Sequence, residues 1–293
     1  MVRIYLMMPH NSFRQNCQFN VYIVTTVSGM KNAVENPIHY YRPMLFSIAY
    51  NMLGSLMDAE DMVQDTFLNW YKTDTRHVDH PKFYLIRAII NRCINHLKEQ
   101  QKKRENYKGT WLPETLVSEM NGEERQREED RKLSIGILYL LEKLTPPERG
   151  VLILRESFNF TFPEIASIFD ISYDNCRQLL SRARAKLLRD KKRFVTDDEV
   201  HTRILKKFMD ACLSGKVDEL VGLLQEDVSF YSDGGGKASA ALHPLYGRET
   251  VLKFISGIVQ KAGPVSRVQF LSVNGLCGAV IYKDDVAWSP ICL

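Results

Sequence analysis

Residues Thr161 to Leu188 (TFPEIASIFDISYDNCRQLLSRARAKLL) hold two apolar stripes at helical spacing, parted by a two-residue break. Two short helices meeting at a tight turn bury both stripes at once. Pro163 suits a first helical turn, and Ile165, Ala166, Ile168 and Phe169 form the first stripe. Asp170-Ile171 makes the break. Ser172 is placed to accept from the free backbone donors of the second helix, whose inward side is Cys176, Leu179, Leu180, Ala183 and Leu187. Outward lie Tyr173, Asn175, Arg177, Gln178, Ser181, Arg182 and Arg184. Guanidinium forks grip phosphates or read guanine edges, and amides suit adenine, so this helix-turn-helix is expected to meet the major groove of DNA. The plainer alternative is a basic, solvated helix packed on its neighbour.

A net charge of +4 on 293 residues is only mildly basic, so the argument for DNA rests on where the charges sit. They are segregated. Arg87 to Lys108 is basic, Glu114 to Asp130 mostly acidic, and Arg177 to Arg193 basic again. The six cysteines (Cys17, Cys93, Cys176, Cys212, Cys277, Cys292) are scattered without a Cys-x-x-Cys pair, which argues against a zinc knuckle or disulfide framework and suits a reducing cytoplasm. No metal and no cofactor are expected. No apolar run reaches the roughly 20 residues of a membrane span, and no signal-peptide pattern opens the chain, so no membrane partner is expected.

The pattern is helical from Pro37 to about Lys108, over Tyr41 to Leu53, Asp58 to Tyr71 and Pro81 to Gln101. Residues 107–132 read as a linker, and 133–193 as a second helical unit that includes a helix start at Thr145-Pro146-Pro147-Glu148 and the helix-turn-helix. From 198 to 293 the pattern is α+β: helices at Val200 to Leu213 and Val217 to Leu224, then strands at Val228 to Ser232, Val265 to Val273, Gly278 to Tyr282 and Val286 to Trp288. Residues 1–36 form an N-terminal extension, read as artefactual or disordered, with strand-like alternation up to Gly29 and Met30 as the expected translation start.

Tyr41-Arg42-Pro43-Met44-Leu45-Phe46-Ser47-Ile48-Ala49-Tyr50-Asn51-Met52-Leu53-Gly54, then Asp58-Ala59-Glu60-Asp61 and Val63-Gln64-Asp65-Thr66-Phe67, closely resemble extracytoplasmic-function (ECF) sigma factors. Trp111-Leu112-Pro113-Glu114 and Asp233-Gly234-Gly235-Gly236-Lys237 are similar to the subgroup with a fused SnoaL-like C-terminal domain. The implied fold class is mainly α: two helical sigma domains, the second with the helix-turn-helix, followed by a small α+β SnoaL-like cone. The implied partners are core RNA polymerase and promoter DNA.

The residues carry matching chemistry. Asp58, Asp61 and Asp65 fall at i, i+3 and i+7, an acidic stripe on one helix face, while Val63, Phe67 and Trp70 turn elsewhere to pack. The resemblance assigns Asp58, Asp61, Gln64 and Asp65 to polymerase binding; a solvated helix with Asp58 and Glu60 favouring its N-terminus is the alternative. It assigns Trp70, Tyr71, Tyr84, Arg87, Asn91, Arg92, Asn95 and Lys98 to the minus-10 promoter element, with the loop Lys72 to His80 holding an extruded base. Phe83 is read as core. The minus-35 element falls to Ser172 together with the outward side of the second helix.

The tail admits two readings. In the first it regulates in cis, folding back on the first domain through Trp111, Leu112, Pro113 and Glu114 and through Asp233 to Lys237, with any ligand unknown. In the second, Asp227 or Asp233 is a general base with His243 or Tyr231 as orienting donor; the first is preferred and no catalytic residue is assigned. The family's tail continues through further strands, whereas this chain stops at Ile291-Cys292-Leu293, so an incomplete cone with an open sheet edge is expected, inviting dimerisation or aggregation. A stand-alone helix-turn-helix regulator with a ligand-binding or isomerase-like tail is the alternative function, and the Asp58 to Asp65 face speaks against it.

Overall fold

The computed structural model describes residues 3–7, 40–104, 111–118, 133–191, 198–233, 241, 243–262, 265, 267–283 and 286–292. Three helices build the first unit: α1 (Arg42–Leu53), α2 (Leu56–Lys72) and α3 (Pro81–Arg104). α1 starts at a proline and ends at Gly54, whose φ of 68° is free of strain only without a Cβ. A Cβ there would also meet Pro113 and Trp111 at 3.1 Å, because the linker crosses at that point. Ser55 then caps α2, its Oγ accepting from Asp58 N at 3.3 Å.

α1 is the central helix. Leu45, Ile48, Ala49, Tyr50, Met52 and Leu53 are buried, and α2, α3 and the second unit pack around them. That second unit comprises α4 (Ile135–Leu141), α5 (Pro146–Glu156), α6 (Phe162–Phe169) and α7 (Tyr173–Lys191). Thr145 and Thr161 begin α5 and α6 with reciprocal capping, in which Glu148 and Glu164 reach back to the Thr145 and Thr161 amides at 2.9 and 2.7 Å. Asp170, at φ 56°, ends α6 in the left-handed region, and the Ile171 amide donates to Ala166 O, closing the turn into α7.

The third unit has α8 (Asp198–Ser214), α9 (Val217–Leu223) and α10 (Arg248–Ala262) on one face of a seven-stranded sheet. The strands are β1 (Arg3–Met7), β2 (Val117–Ser118), β3 (Ser229–Asp233), β4 (Leu245–Tyr246), β5 (Arg267–Val273), β6 (Leu276–Lys283) and β7 (Val286–Cys292), in the order β2-β5-β6-β7-β1-β3-β4. Alternation sends Val268, Phe270, Cys277, Ala279 and Ile281 to the helices, with Leu271, Val273, Val280 and Tyr282 on the other face. Tyr231 and Val273 of that other face join the apolar core built by the two helical units.

Two sequence expectations need correction. Arg3–Met7, read as part of an extension outside the fold, pairs parallel with Ser229–Asp233 and antiparallel with Ile291 and Cys292. β7 is therefore flanked on both sides, and the open edge expected there is absent; the edges of the described sheet are the two-residue strands β2 and β4. α10, β2 and β4 were not anticipated either. α10 carries Val251, Ile255, Ile258, Val259 and Gly257, a composition poor for an isolated helix, and burial of Val251 and Ile255 against the sheet overrides it.

Candidate nucleic-acid interface and the junction behind it

α2 divides its polar residues between two directions. Asp58 is half-buried, 3.4 Å from His96 Nε2, and Asp65 lies 3.5 Å from Arg92, so both lean toward α3. Asp61 and Gln64 face out, and no ion pair reaches Asp61 among the described residues. Met57 and Leu68, 74% and 54% exposed, flank them. Met57, Asp61, Gln64 and Leu68 stand at i, i+4, i+7 and i+11, a stripe of carboxylate and amide between two apolar side chains. Sequence reasoning named the acids and missed the apolar flanks, because an isolated methionine or leucine on a helix is ordinarily assigned to the core.

Along α3, Asn91, Asn95 and Lys98 are exposed and Arg92 is partly covered. Trp70, named for the minus-10 element, is instead a core residue: it is 7% exposed and its ring meets Tyr84 edge-on at 5.2 Å. Only the packing half of its two readings fits this position. Tyr84 is half-buried, and Tyr71 is 53% exposed. In the loop before α3, Asp74 holds the Arg76 guanidinium through both carboxylate oxygens at 2.9 and 2.8 Å, and the Arg76 side chain draws the Asp74 carboxyl below its ordinary range. Arg87 turns to the second unit, donating from Nε to Ile168 O at 3.0 Å and from Nη2 to Ser167 O at 2.8 Å.

α7 matches its sequence pattern closely. Ser172 Oγ accepts from the Asn175 amide at 3.2 Å, and Cys176, Leu180 and Ala183 are buried. Ser172, Tyr173, Asn175, Arg177, Gln178, Ser181, Arg182 and Arg184 are all exposed. The Arg177 guanidinium lies 5.9 Å from the Tyr173 ring, which meets Phe162 edge-on, while Arg184 is held by Glu156 at 2.6 Å.

Behind these faces the linker, region by region, is gripped by its neighbours. Leu112 and Pro113 are buried and Trp111 is half-buried. The Glu114 amide donates to Gly54 O at 2.7 Å, its carbonyl accepts from Tyr50 Oη at 2.6 Å, and its Oε2 accepts from the Leu56 amide at 2.6 Å. Glu114 thus caps the N-terminus of α2 from a distance in sequence. Asp233 Oδ2 accepts from the Leu112 amide at 3.1 Å; Gly234, Gly235, Gly236 and Lys237 lie outside the described residues. Tyr231 is buried, its ring 4.8 Å from Tyr139, whereas Asp227 and His243 are exposed.

Two junction residues went unread in the sequence. Asn274, 3% exposed, sits with Gly275 in the β5–β6 turn, φ 53° and 83°. Its Nδ2 donates to Tyr50 Oη at 2.7 Å and Leu133 O at 3.1 Å, its Oδ1 accepts from the Leu116 amide at 2.9 Å, and its own amide donates to Leu116 O at 2.9 Å. Burial raises the Tyr50 phenol well above its ordinary value, so it stays a proton donor. Arg149, 3% exposed, donates to Met52 O at 2.6 Å, Leu141 O at 3.0 Å and Glu142 at 2.8 Å, tying α5 to the end of α1. An Asn-Gly pair between two strands is a hairpin signal that likewise went unread, and nothing local marks its tip as pointing into a protein interior.

No group of three or more metal-ligating side chains occurs among the described residues, and no described helix is long and apolar enough to cross a membrane. The Sigma-70 region 2 family matches residues 38–103, and Sigma-70 region 4 matches residues 135–187. The ECF RNA polymerase sigma factor SigJ of Mycobacterium tuberculosis is 34% identical over 245 residues, spanning 81% of this chain and 78% of that protein. The probable ECF RNA polymerase sigma factor SigI of the same species is 29% identical over 192 residues, 64% of this chain and 66% of its own length. The crystal structure of the M. tuberculosis extracytoplasmic function sigma factor SigJ superposes with a TM-score of 0.70 at 30% identity, over 87% of this chain and 88% of the other. With region 2 on α1–α3, region 4 on α4–α7 and a relative of this similarity across all three units, the chain belongs to the ECF RNA polymerase sigma factors, which join core RNA polymerase and direct promoter-specific initiation of transcription.

Proposed function

We propose that this sigma factor is regulated in cis, its C-terminal α+β unit clamping the linker onto region 2 and so limiting how far region 4 can travel. The supporting observation is Asn274, whose side chain bonds at once to region 2 (Tyr50), the linker (Leu116) and the residue leading into region 4 (Leu133). The minus-10 and minus-35 elements are 25 base pairs apart, about 85 Å of B-form duplex. Residues 105–132 join the two regions, and about 28 residues reach at most about 95 Å when fully extended. With 111–118 held on Gly54, Leu56 and the sheet, the roughly 14 residues from 119 to 132 set the greatest possible span to region 4, about 48 Å by contour length. The dimensions of the two regions add equally to both figures, so the clamp halves the adjustable reach.

Within this scheme the exposed stripe Asp61-Gln64, with Asp58 and Asp65 beside it, docks on polymerase. α3 addresses the minus-10 element through Arg87, Asn91, Arg92, Asn95 and Lys98, with Tyr84 in its first turn and Tyr71 at the end of α2. α7, with Ser172 before it, addresses the minus-35 element through Ser172, Tyr173, Asn175, Arg177, Gln178, Ser181, Arg182 and Arg184. Each DNA contact is moderate alone, and tethering on polymerase makes the second intramolecular. Sigma factors are not enzymes, and the tail here is assigned no catalysis, since Asp233 is engaged by the linker amide and Asp227 is solvated.

Run-off transcription with core polymerase tests the clamp in the full chain carrying Asp233→Asn and Asn274→Gly together. Point changes are preferable to removing the tail, because Tyr231 and Val273 belong to the core of the helical units. The clamp predicts altered promoter occupancy and transcript yield. Unchanged affinity and unchanged output reject it.

A further inference from the structure

We propose that the slot between β3 and β7 is a strand-accepting site, and that Arg3–Met7 seated in it braces the end of β3 that grips the linker, so that withdrawing this segment loosens the tail from region 2. The proposal rests on the clamp described above. β3 and β7 each pair with β1 and not with each other, so among the described strands five residues join β2-β5-β6-β7 to β3-β4. The register divides β3 in two. Ser229 and Phe230 have β4 on one side and β1 on the other, whereas Tyr231, Ser232 and Asp233 lie beyond β4 and have Tyr5, Leu6 and Met7 as their described strand partners. That second half carries the contacts to the helical units and the linker: the Tyr231 ring lies 4.8 Å from Tyr139, and Asp233 Oδ2 accepts from the Leu112 amide at 3.1 Å. On the other side of the slot Cys292, opposite Tyr5, packs against the core of the helical units.

β1 is also the strand easiest to withdraw. Arg3 pairs with Ser229 and Tyr5 with Cys292, so no hairpin turn holds it, and its parallel pairing with β3 closes only across both helical units. A short terminal strand without local contacts opens at low cost compared with the core strands β5 and β6, which a tight turn joins. Its departure uncovers unpaired backbone groups on two strands at once, and main-chain hydrogen bonds to such a slot are what an extended segment supplies. Covalent attachment gives β1 a high effective concentration there, so in the intact chain it outcompetes a free strand of the same sequence. A strand offered in trans therefore enters only where β1 has been weakened.

The test uses the full chain carrying Leu6→Pro. Leu6 lies between Ser232 and Ile291, and proline, which has no amide hydrogen, is confined to sheet edges, so the change should withdraw β1. Hydrogen exchange read by mass spectrometry should show protection of 229–233 and 286–292 falling about tenfold or more and that of 111–118 about threefold or more, with Val151 to Leu154 unchanged. A peptide of residues 1–10 should restore all three segments, a scrambled peptide of the same composition should restore none, and the 1–10 peptide at equal concentration should leave the wild-type chain unbound. Leu6→Gly, which keeps the amide and only weakens the strand, gives the same readings at smaller amplitude should Leu6→Pro fail to fold. Unchanged protection of 229–233, no rescue by the 1–10 peptide, or equal rescue by the scrambled one overturns the strand site. Exposure of 229–233 and 286–292 with 111–118 protected throughout overturns the brace and leaves the clamp standing. Loosening of 111–118 with promoter occupancy and transcript yield unaltered has the reverse meaning: the brace stands and the clamp is rejected.

Discussion

Replacing Asn274 by glycine isolates one side chain from everything around it. Glycine accepts φ of 53° without strain, so the β5–β6 turn survives while three side-chain hydrogen bonds are lost. Each is worth about 1 kcal/mol net, and water entering the vacated site recovers part, leaving a loss of about 2–3 kcal/mol in the closed junction. That corresponds to a fall of about 30- to 150-fold in the ratio of closed to open linker. Hydrogen exchange read by mass spectrometry reports it directly, since the Glu114 amide is protected by Gly54 O and the Leu116 amide by Asn274 itself. The peptide spanning 111–118 should lose protection by that factor, while amides of Val151 to Leu154 in α5 keep theirs. Loss of less than threefold in the linker, with α5 unaltered, would mean that Asn274 fills space and holds nothing.

Trp70→Ala should lower the stability of region 2 by about 3–5 kcal/mol, seen in thermal melts, before any effect on DNA is measurable; a fully folded variant with a selective promoter defect would return Trp70 to the DNA-reading set. Glu148 gives a pH signature. Burial opposes its charge, but the Lys186 ammonium at 2.6 Å and the Thr145 amide outweigh it and hold the carboxyl below its ordinary value. A depressed carboxyl stabilises the fold above its unfolded value near 4.5 and loses that contribution as pH falls through the folded one. Glu148→Gln should therefore cost about 1–2 kcal/mol at pH 7 and progressively less below about pH 4.5, whereas a pH-independent cost would assign the loss to packing. Arg182→Ala, a solvated change on α7, should weaken duplex binding and reduce the salt slope by about one; an unchanged slope would remove Arg182 from the phosphate contacts.

Legibility in the sequence followed the range of the interactions. Thr145 and Ser172 announce their helices because a cap is a contact across two or three residues, and both helices begin there, whereas Ser55 and Thr161 cap helices whose starts the sequence pattern places a residue or more further on. α7 was readable to single residues for the same reason: its buried and exposed sides follow one local period. The junction was not. Asn274 and Tyr50 are 224 positions apart, and Arg149 reads as one more surface arginine until Met52 O is brought to it. β1 failed likewise, since pairing with β3 and β7 crosses nearly the whole chain and local alternation cannot name a partner.

α2 is the helix proposed to face polymerase, and affinity of the full chain for core RNA polymerase measures that. Asp61→Lys with Gln64→Lys puts positive charge on the outward stripe without touching the Asp65–Arg92 pair or the buried Val63, Phe67 and Trp70, so helicity and melting should hold. Association should fall by at least tenfold and run-off transcript should fall with it. A well-folded double variant that still co-purifies with polymerase at wild-type affinity contradicts the assignment.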